Sequence, residues 1–428
     1  MTKQKRLASR LVWKFTMLSN LIGHSVDDDM KTNTLIQNKA KNRISLNVLS
    51  SMLVGVFSAL FFGSSFASGA EEYTAANPVS SITSNIKHEG GASSEPSIST
   101  VPNAAILLYH HVSSSTPAST SISPEAFKSH MEYLDAHHTV VPLQDVVSAI
   151  QNNTTLPEKA VAITFDDGYA NILDNAHPIL ADLGFPYTIF INPDEIGVGP
   201  KQLTWEQVIA MHNDGVVFAN HTLDHLHMLN GEQEMGERAW LDKVWQNVES
   251  AEKKIEDKLD ISLKYLAYPF GEYNTALANK LKTEGYIGFG QHSGAVGPTS
   301  NMQALPRFPA AGPYANLATL KTKLNSLAMP VTHSSHENPR MTTRKLSSPI
   351  SLTINSDDVR LTQVNCFFGG DTIKTSVEGS VLSFNLSETL PVGRSRVNCT
   401  APSKTQAGRY YWYSTPFFVA DEKGNYPD

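Results

Sequence analysis

The chain has 428 residues, 41% hydrophobic and 18% charged, enough apolar content for two or three domains with their own cores, which excludes a disordered chain. The formal net charge is −7, and residues 68–428 alone carry 25 Lys and Arg against 38 Asp and Glu, net −13. Such a surface argues against nucleic acid and anionic lipid as partners and accommodates a neutral or cationic ligand.

Near the N-terminus, Lys39, Lys41 and Arg43 precede the apolar run LNVLSSMLVGVFSALFFG and the small-residue exit SSFASGA. Basic region, short apolar run and small-x-small site form the pattern of a secretory signal peptide over residues 1–67, behind an N-terminal extension. Cleavage is expected after Ala67, with Ala70 the second choice. The run is short for a membrane span and is broken by Asn47 and several serines. No stable span is therefore expected after cleavage, an uncleaved anchor being the alternative. The protein is expected to be periplasmic or extracellular. Residues 68–101, rich in Ser, Ala, Thr and Glu, read as a flexible leader.

From residue 102 the texture changes. AAILLYH reads as a buried strand; SPEAFKSHMEYLDAH reads as a helix capped by Ser123, with Pro124 at its first position. AVAITF and PYTIFIN are strands, separated by the helix ANILDNAHPILADLG with Gly184 after its end. The helix LTWEQVIAMHNDG is capped by Thr204 and followed by the strand VVFANH. The longest helix, GERAWLDKVWQNVESAEKKIEDKLD, carries Trp240, Val244, Val248, Ala251, Ile255 and Leu259 at steps of three or four, as one buried face requires. Strand LKYLAYPF, helix TALANKLKTEG, strand YIGFGQH, segment ALPRFPA and helix ANLATLKTKLNSLA complete the region. Strands alternating with helices predict a parallel α/β sheet over 102–329, with a barrel as its expected closure.

Residues 330–349 are polar and without periodicity, and read as a linker. Beyond them, 350–428 consists of short strand patterns separated by turn signals, predicting a small β-sandwich. It holds both cysteines, Cys366 and Cys399, which an oxidising compartment is expected to join. The run Tyr410 to Tyr413 is expected to pack into the core by alternation, a sugar-stacking face being the minority reading. No segment specifies an oligomeric state.

In a parallel α/β sheet, ligands gather at the carboxyl ends of the strands. Asp166 and Asp167 end one predicted strand, in VAITFDDG. His221 and His225 follow another, in FANHTLDH, with His227 close behind. Two imidazoles and one carboxylate make an open three-ligand site for Zn²⁺ or a similar divalent metal. A third strand end carries YPFGEYN. An H-x3-H spacing alone is more often surface or core histidine; the pairing with Asp-Asp-Gly at a second strand end is the stronger signal.

Together TFDDG (164–168), HTLDH (221–225) and YPFGEYN (268–274) resemble the first three motifs of the polysaccharide deacetylases of carbohydrate esterase family 4, the NodB-homology domain. The resemblance covers about residues 102–329 and implies a deacetylase-type distorted (β/α) barrel, here followed by the small all-β domain. Tyr109-His110 and the YPFGEYN form look most like the branch acting on poly-β-1,6-N-acetylglucosamine. The implied activity is hydrolysis of N-acetyl groups from a β-linked N-acetylglucosamine polysaccharide. Chitin oligomers, peptidoglycan and O-acetyl xylan are competing substrates, and a glycan-binding protein on the same scaffold is the non-enzymatic rival. By the resemblance, Asp167, His221 and His225 hold the metal (zinc, with cobalt or nickel as alternatives), and Asp166 is the general base. A backbone N–H near Phe270 stabilises the oxyanion, Gly271 permits the turn, and Tyr273 lines the sugar subsite or, alternatively, is a packed aromatic. Two departures stand out. The Arg expected before the motif proline is replaced by Leu266-Ala267-Tyr268, so Arg307 is the candidate to supply that charge. No Leu-x-His motif is evident, so His292 is the preferred general acid. His110 is its alternative and a substrate-side residue.

Overall fold

The computed structural model describes residues 98–99 and 101–427. The expected signal peptide and most of the expected leader lie outside the described residues. Ile98–Ser99 pair antiparallel with Leu156–Pro157. Among the described residues, no helix is long and apolar enough to cross a membrane.

The strand–helix alternation builds one curled parallel sheet. Its strands are β1 (Ala104–Tyr109), β2 (Ala160–Phe165), β3 (Thr188–Ile191), β4 (Val217–Asn220), β5 (Tyr265–Ala267) and β6 (Ile287–Phe289), hydrogen-bonded in that order from β1 to β6. AAILLY and AVAITF are buried at all six positions, which is why they read as unbroken apolar runs rather than alternating ones. Ala105, Leu107, Tyr109, Val161, Ile163 and Phe165 face one core, while Ala104, Ile106, Ala160 and Ala162 face the other. Ala295–Val296 (β7) adds antiparallel to β1. Closure comes from the next segment. Leu305 bridges Phe289 of β6 in parallel, and Phe308–Pro309 (β8) pairs in parallel with β1. Residues 305–309 therefore tie the last parallel strand to the first and carry Arg307 across the strand ends.

The helices α1 (Pro124–His137), α2 (Leu143–Asn152), α3 (His177–Leu183), α4 (Trp205–Asn213), α5 (Glu237–Leu259), α6 (Thr275–Thr283) and α7 (Leu317–Leu324) flank this sheet. Ser123 caps α1 by accepting from the Ala126 N–H, and Thr204 forms a reciprocal capping box with Gln207. On α5 the six residues expected to face inward are all buried.

The stretch 330–349, expected as a linker, is woven into the C-terminal module. Val331–Ser334 (β9) and Arg340–Met341 (β10) are strands. The rest of that module is β11 (Ile350–Ile354), β12 (Asn365–Phe368), β13 (Asp371–Ile373), β14 (Thr375–Glu378), β15 (Val381–Phe384), β16 (Gly393–Pro402) and β17 (Tyr410–Val419). One sheet runs β17-β16-β12-β13 with β10 on β17, and the other runs β9-β11-β15-β14. A common core holds Leu352, Leu382, Val397 and Phe417. Cys366 and Cys399 face each other across β12 and β16 and are joined as a disulfide. They are 33 residues apart in sequence, so loop-closure entropy predicts a loss of about 3–4 kcal/mol on Cys366→Ala/Cys399→Ala. Thermal melts of wild type and double variant, with and without reductant, should show reductant lowering the wild-type melting temperature and leaving the variant unmoved.

On β17, Tyr411 and Tyr413 pack on this core. Trp412 points the other way, its ring 5.4 Å from Phe308 of the parallel domain. Tyr273 likewise meets Phe418 at 5.9 Å, and Arg340 pairs with Glu232 at 3.0 Å. The two modules thus share a packed boundary close to the third sequence motif.

Candidate active site

The carboxyl ends of β2, β4 and β5 bring the three motifs together. After β2 the chain turns through Asp167 (φ 72°) and Gly168 (φ 69°). A Cβ at 168 would meet Ile191 Cγ2 at 3.0 Å, so only glycine fits this turn without displacing its neighbour. After β4, Thr222 and His225 also have positive φ, and Phe270 does so after β5. Four non-glycine residues in this uncommon conformation converge on one spot, as at strained functional turns. The turn at 222 is held by Asn220, whose Oδ1 accepts from the Thr222 N–H at 2.8 Å. Asn220 Nδ2 in turn donates to Glu252 on α5 at 3.0 Å.

Asp167, His221 and His225 place one ligand-type atom each within 4.8 Å of the others, and they form the metal-type cluster found among the described residues. Nε2 of His221 lies 3.2 Å from Asp167 Oδ1, and Nε2 of His225 lies 3.3 Å from the same oxygen. The ring of His221 is fixed by Nδ1 donating to the Ala267 carbonyl at 2.8 Å. That bond leaves Nε2 as the lone-pair nitrogen turned to the cluster. Both that nitrogen and Asp167 Oδ1 are buried without a hydrogen-bond partner. Burial and the adjacent His221 push His225 down to about 4, so it presents a neutral imidazole at ordinary pH. Orphaned, convergent oxygen and nitrogen donors of this set suit a divalent cation such as zinc.

Asp166 turns the other way. Its two oxygens each accept from Arg307, from Nη1 and Nη2, both at 2.7 Å, and both side chains are fully buried. Arg307 also donates from Nε to the Gly290 carbonyl at 2.9 Å and from Nη1 to Thr164 Oγ1 at 3.3 Å. Burial works to raise Asp166, but the Arg307 charge, with His221, outweighs it and holds the carboxyl below the ordinary range. The segment that closes the sheet thus carries a guanidinium onto the carboxylate that the third motif leaves without one.

The other expected site residues divide. Phe270 lies edge-on to His225, ring centres 4.6 Å apart, and stacks on His227 at 3.8 Å. His227 is held by Glu272 at 2.8 Å and does not join the cluster. Gly271 (φ 72°) packs so closely that a Cβ would sit 3.0 Å from Gln291 Cβ and 3.1 Å from its N. Tyr273, expected at a sugar subsite, is buried and stacks on Tyr268 at 5.2 Å. Phe418 meets the same ring in a T-shaped contact, so Tyr273 is packed into the core. His110 follows β1 half-buried, within charge range of Asp166, Asp167 and His225. His292 folds back over Gly290, where a Cβ would lie 2.5 Å from its Nδ1. Burial, then the charges of Arg396 and Arg307, push it down to about 3. It is therefore neutral over the working range, a poor state for a proton donor.

Some site residues carried no sequence signal. Asn192, at the end of β3, donates to the His221 and Thr222 carbonyls. Arg394 on β16 donates to the Phe270 carbonyl at 2.8 Å and to Gln291 Oε1 at 2.5 Å.

A parallel α/β sheet with an Asp-His-His cluster and a second, arginine-held carboxylate at its strand ends is the arrangement of a metal-assisted hydrolase. The comparisons make the class specific. Residues 153–288 match the polysaccharide deacetylase family model. YxkH of Bacillus subtilis (strain 168), which carries a provisional polysaccharide deacetylase name, is 31% identical over 207 residues, covering 47% of this chain and 69% of its own. The poly-beta-1,6-N-acetyl-D-glucosamine N-deacetylase of Staphylococcus aureus (strain MRSA252) is 26% identical over 207 residues, 47% of this chain and 71% of its own. Among solved structures, a Streptococcus pyogenes deacetylase in complex with acetate is similar over 53% of this chain and 99% of its own. Its TM-score is 0.47 and its identity 21%. The chain belongs to the polysaccharide deacetylase family, and so to the hydrolases of amide bonds in polysaccharides.

Proposed function

We propose that the protein is an exported, metal-dependent deacetylase that removes N-acetyl groups from a β-linked N-acetylglucosamine polysaccharide, with poly-β-1,6-N-acetylglucosamine as its substrate. The observation that carries this reading is the placement of Asp166, locked onto Arg307, beside the cluster of Asp167, His221 and His225. The linkage is supported by the named activity of the Staphylococcus aureus relative.

Asp167, His221 and His225 would hold a divalent ion, zinc or alternatively cobalt or nickel. When bound, such an ion polarises an amide carbonyl and lowers the pKa of water. Asp166 accepts the proton of the attacking water, and the Arg307 fork keeps its carboxylate oriented and ionised. Gly271 and Glu272 N–H groups are already engaged by Tyr268 and Pro269 carbonyls. No internal bond engages the Phe270 N–H among the described residues, so we assign it to the developing oxyanion. His110, which follows β1 within charge range of Asp166, Asp167 and His225, takes the acid role expected of His292. As the C–N bond breaks, it donates a proton to the leaving nitrogen, giving acetate and a glucosamine residue, and the proton taken up by Asp166 passes back to it through solvent.

The test is acetate release by protein lacking residues 1–67, zinc-loaded or chelated, from β-1,6- and β-1,4-linked N-acetylglucosamine oligomers. Release from the β-1,6 oligomer, falling at least a hundredfold on chelation and restored by zinc, is the expected outcome. Release from the β-1,4 oligomer alone would keep the chemistry and reject the linkage. Zinc binding without release from either would favour a glycan-binding role on this scaffold.

A further inference from the structure

We infer that the C-terminal β-domain is a working part of the metal centre, and that Arg394 on β16 is the positioning residue through which it acts. The inference rests on the metal-binding role proposed for Asp167, His221 and His225.

The geometry runs outward from the cluster in three steps. His225 is its most accessible member, with a side chain 29% exposed. Among the described residues, the only ring packed against it besides His221 is Phe270, edge-on at 4.6 Å. Phe270 therefore forms the wall that limits where the His225 imidazole can swing. Phe270 itself sits at φ 57°, ψ 4°, a conformation that a bulky residue keeps only when its surroundings over-determine it.

Those surroundings come from two places. On one side the Phe270 ring lies flat on His227, with an interplanar angle of 2°, and His227 is tied to the buried Glu272. On the other side the Phe270 carbonyl is held by the guanidinium of Arg394, which also grips Gln291 Oε1. Gln291 is buried and forms the surface against which the Cβ-less Gly271 packs. One arginine thus pins both layers of the turn, the 270–271 peptide and the residue beneath it. A charged donor to a main-chain carbonyl and a side-chain amide is stronger than a neutral pair would be.

Arg394 does not reach in from a mobile appendage. Two residues on, Arg396 donates to the Tyr314 hydroxyl at 3.2 Å. Ser414 Oγ on β17 lies within hydrogen-bonding distance of both Asn398 Oδ1 on β16 and the Ser293 carbonyl of the parallel domain, its single O–H serving one of them at a time. The outward face of β16 is therefore laid along the 290–293 segment, and Trp412 and Phe418 of β17 anchor the same boundary. The β-domain holds Arg394 at a fixed distance from the turn.

The test compares Arg394→Ala and Arg394→Lys with Arg409→Ala in the protein lacking residues 1–67. Arg409 makes the same kind of contact across the boundary, to the Asn325 and Ser326 carbonyls, but not at the Phe270 turn. Zinc affinity of the stripped protein, by competition with a chromogenic chelator, is the deciding readout, with acetate release and thermal melting alongside. Arg394→Ala is expected to weaken zinc about tenfold, the lower end of the loss when an outer-shell partner of a metal ligand is removed. It should lower kcat more than it raises KM. Added guanidinium should restore part of both, and Arg394→Lys should fall between. Arg409→Ala is expected to lower the melting temperature and leave zinc affinity unchanged. Equal zinc affinity in wild type and Arg394→Ala would overturn the inference, as would an equal loss in Arg409→Ala, which would mark a general loosening. Wild-type protein that binds zinc but releases no acetate would instead refute the deacetylase reading, and the zinc comparison would still decide the role of Arg394.

Discussion

Asp166→Asn should cut acetate release by about a thousandfold while zinc content stays at the wild-type level. The magnitude follows from the range over which a positioned general base accelerates proton transfer, about 10²–10⁴. Asparagine keeps the shape of the side chain and one acceptor oxygen, but it cannot take a proton from water. The metal-type donors are Asp167, His221 and His225, so the ion should remain. Zinc measured in the purified variant, against release from the oligomer, separates the two roles. A variant that loses zinc and activity together would make Asp166 a ligand. A variant that keeps both would remove it from the reaction.

Much of this site could be read before the fold was known, because its chemistry sits at strand ends and its strands are apolar runs. Asp166-Asp167-Gly168 follows six consecutive buried residues, and the capped starts of α1 and α4 fall where Ser123 and Thr204 announce them. Other elements were hidden for identifiable reasons. Helix α2 carries Leu143, Val146, Val147 and Ile150 at one buried face, but it spans only ten residues and starts at Pro142 without a side-chain cap, so no boundary signal marks it. The expected helix 170–184 opens as a wide π turn over Ile172–Ala176, since Pro178 lacks the N–H that a regular turn would use. Strands β9 and β10 are short and polar, and only their partners make them strands. The resemblance leaves Tyr273 between a sugar subsite and core packing, and only its neighbours in space, Tyr268 and Phe418, decide for packing. Arg394 lies more than a hundred residues from the turn it holds, and no local pattern distinguishes it from other arginines on a β-strand.

Arg307→Met is the substitution expected to damage the fold most. Asp166 and Arg307 are fully buried, so removing the arginine leaves a carboxylate without compensation. Breaking a buried pair from one side costs about 3–5 kcal/mol. Replacing both partners should cost less than the sum of the single changes, because Asp166→Asn/Arg307→Met leaves neither a buried carboxylate nor a buried guanidinium behind. Chemical denaturation of the four proteins, stripped of metal, measures that coupling. The pH dependence supplies an independent sign. In the wild type, Asp166 titrates below its ordinary value, so its stabilising contribution is full above that value, near 3.9, and is lost as pH falls through the folded pKa. Without Arg307 the burial effect prevails and raises the same group, so the variant is relieved of its penalty as pH falls and the proton binds. Both trends narrow the gap between wild type and Arg307→Met toward acid pH and leave it widest near neutrality. A gap that stays constant from pH 7 down to pH 4 would show that Arg307 stabilises the fold through its bonds to Gly290 and Thr164, and that its charge on Asp166 contributes little.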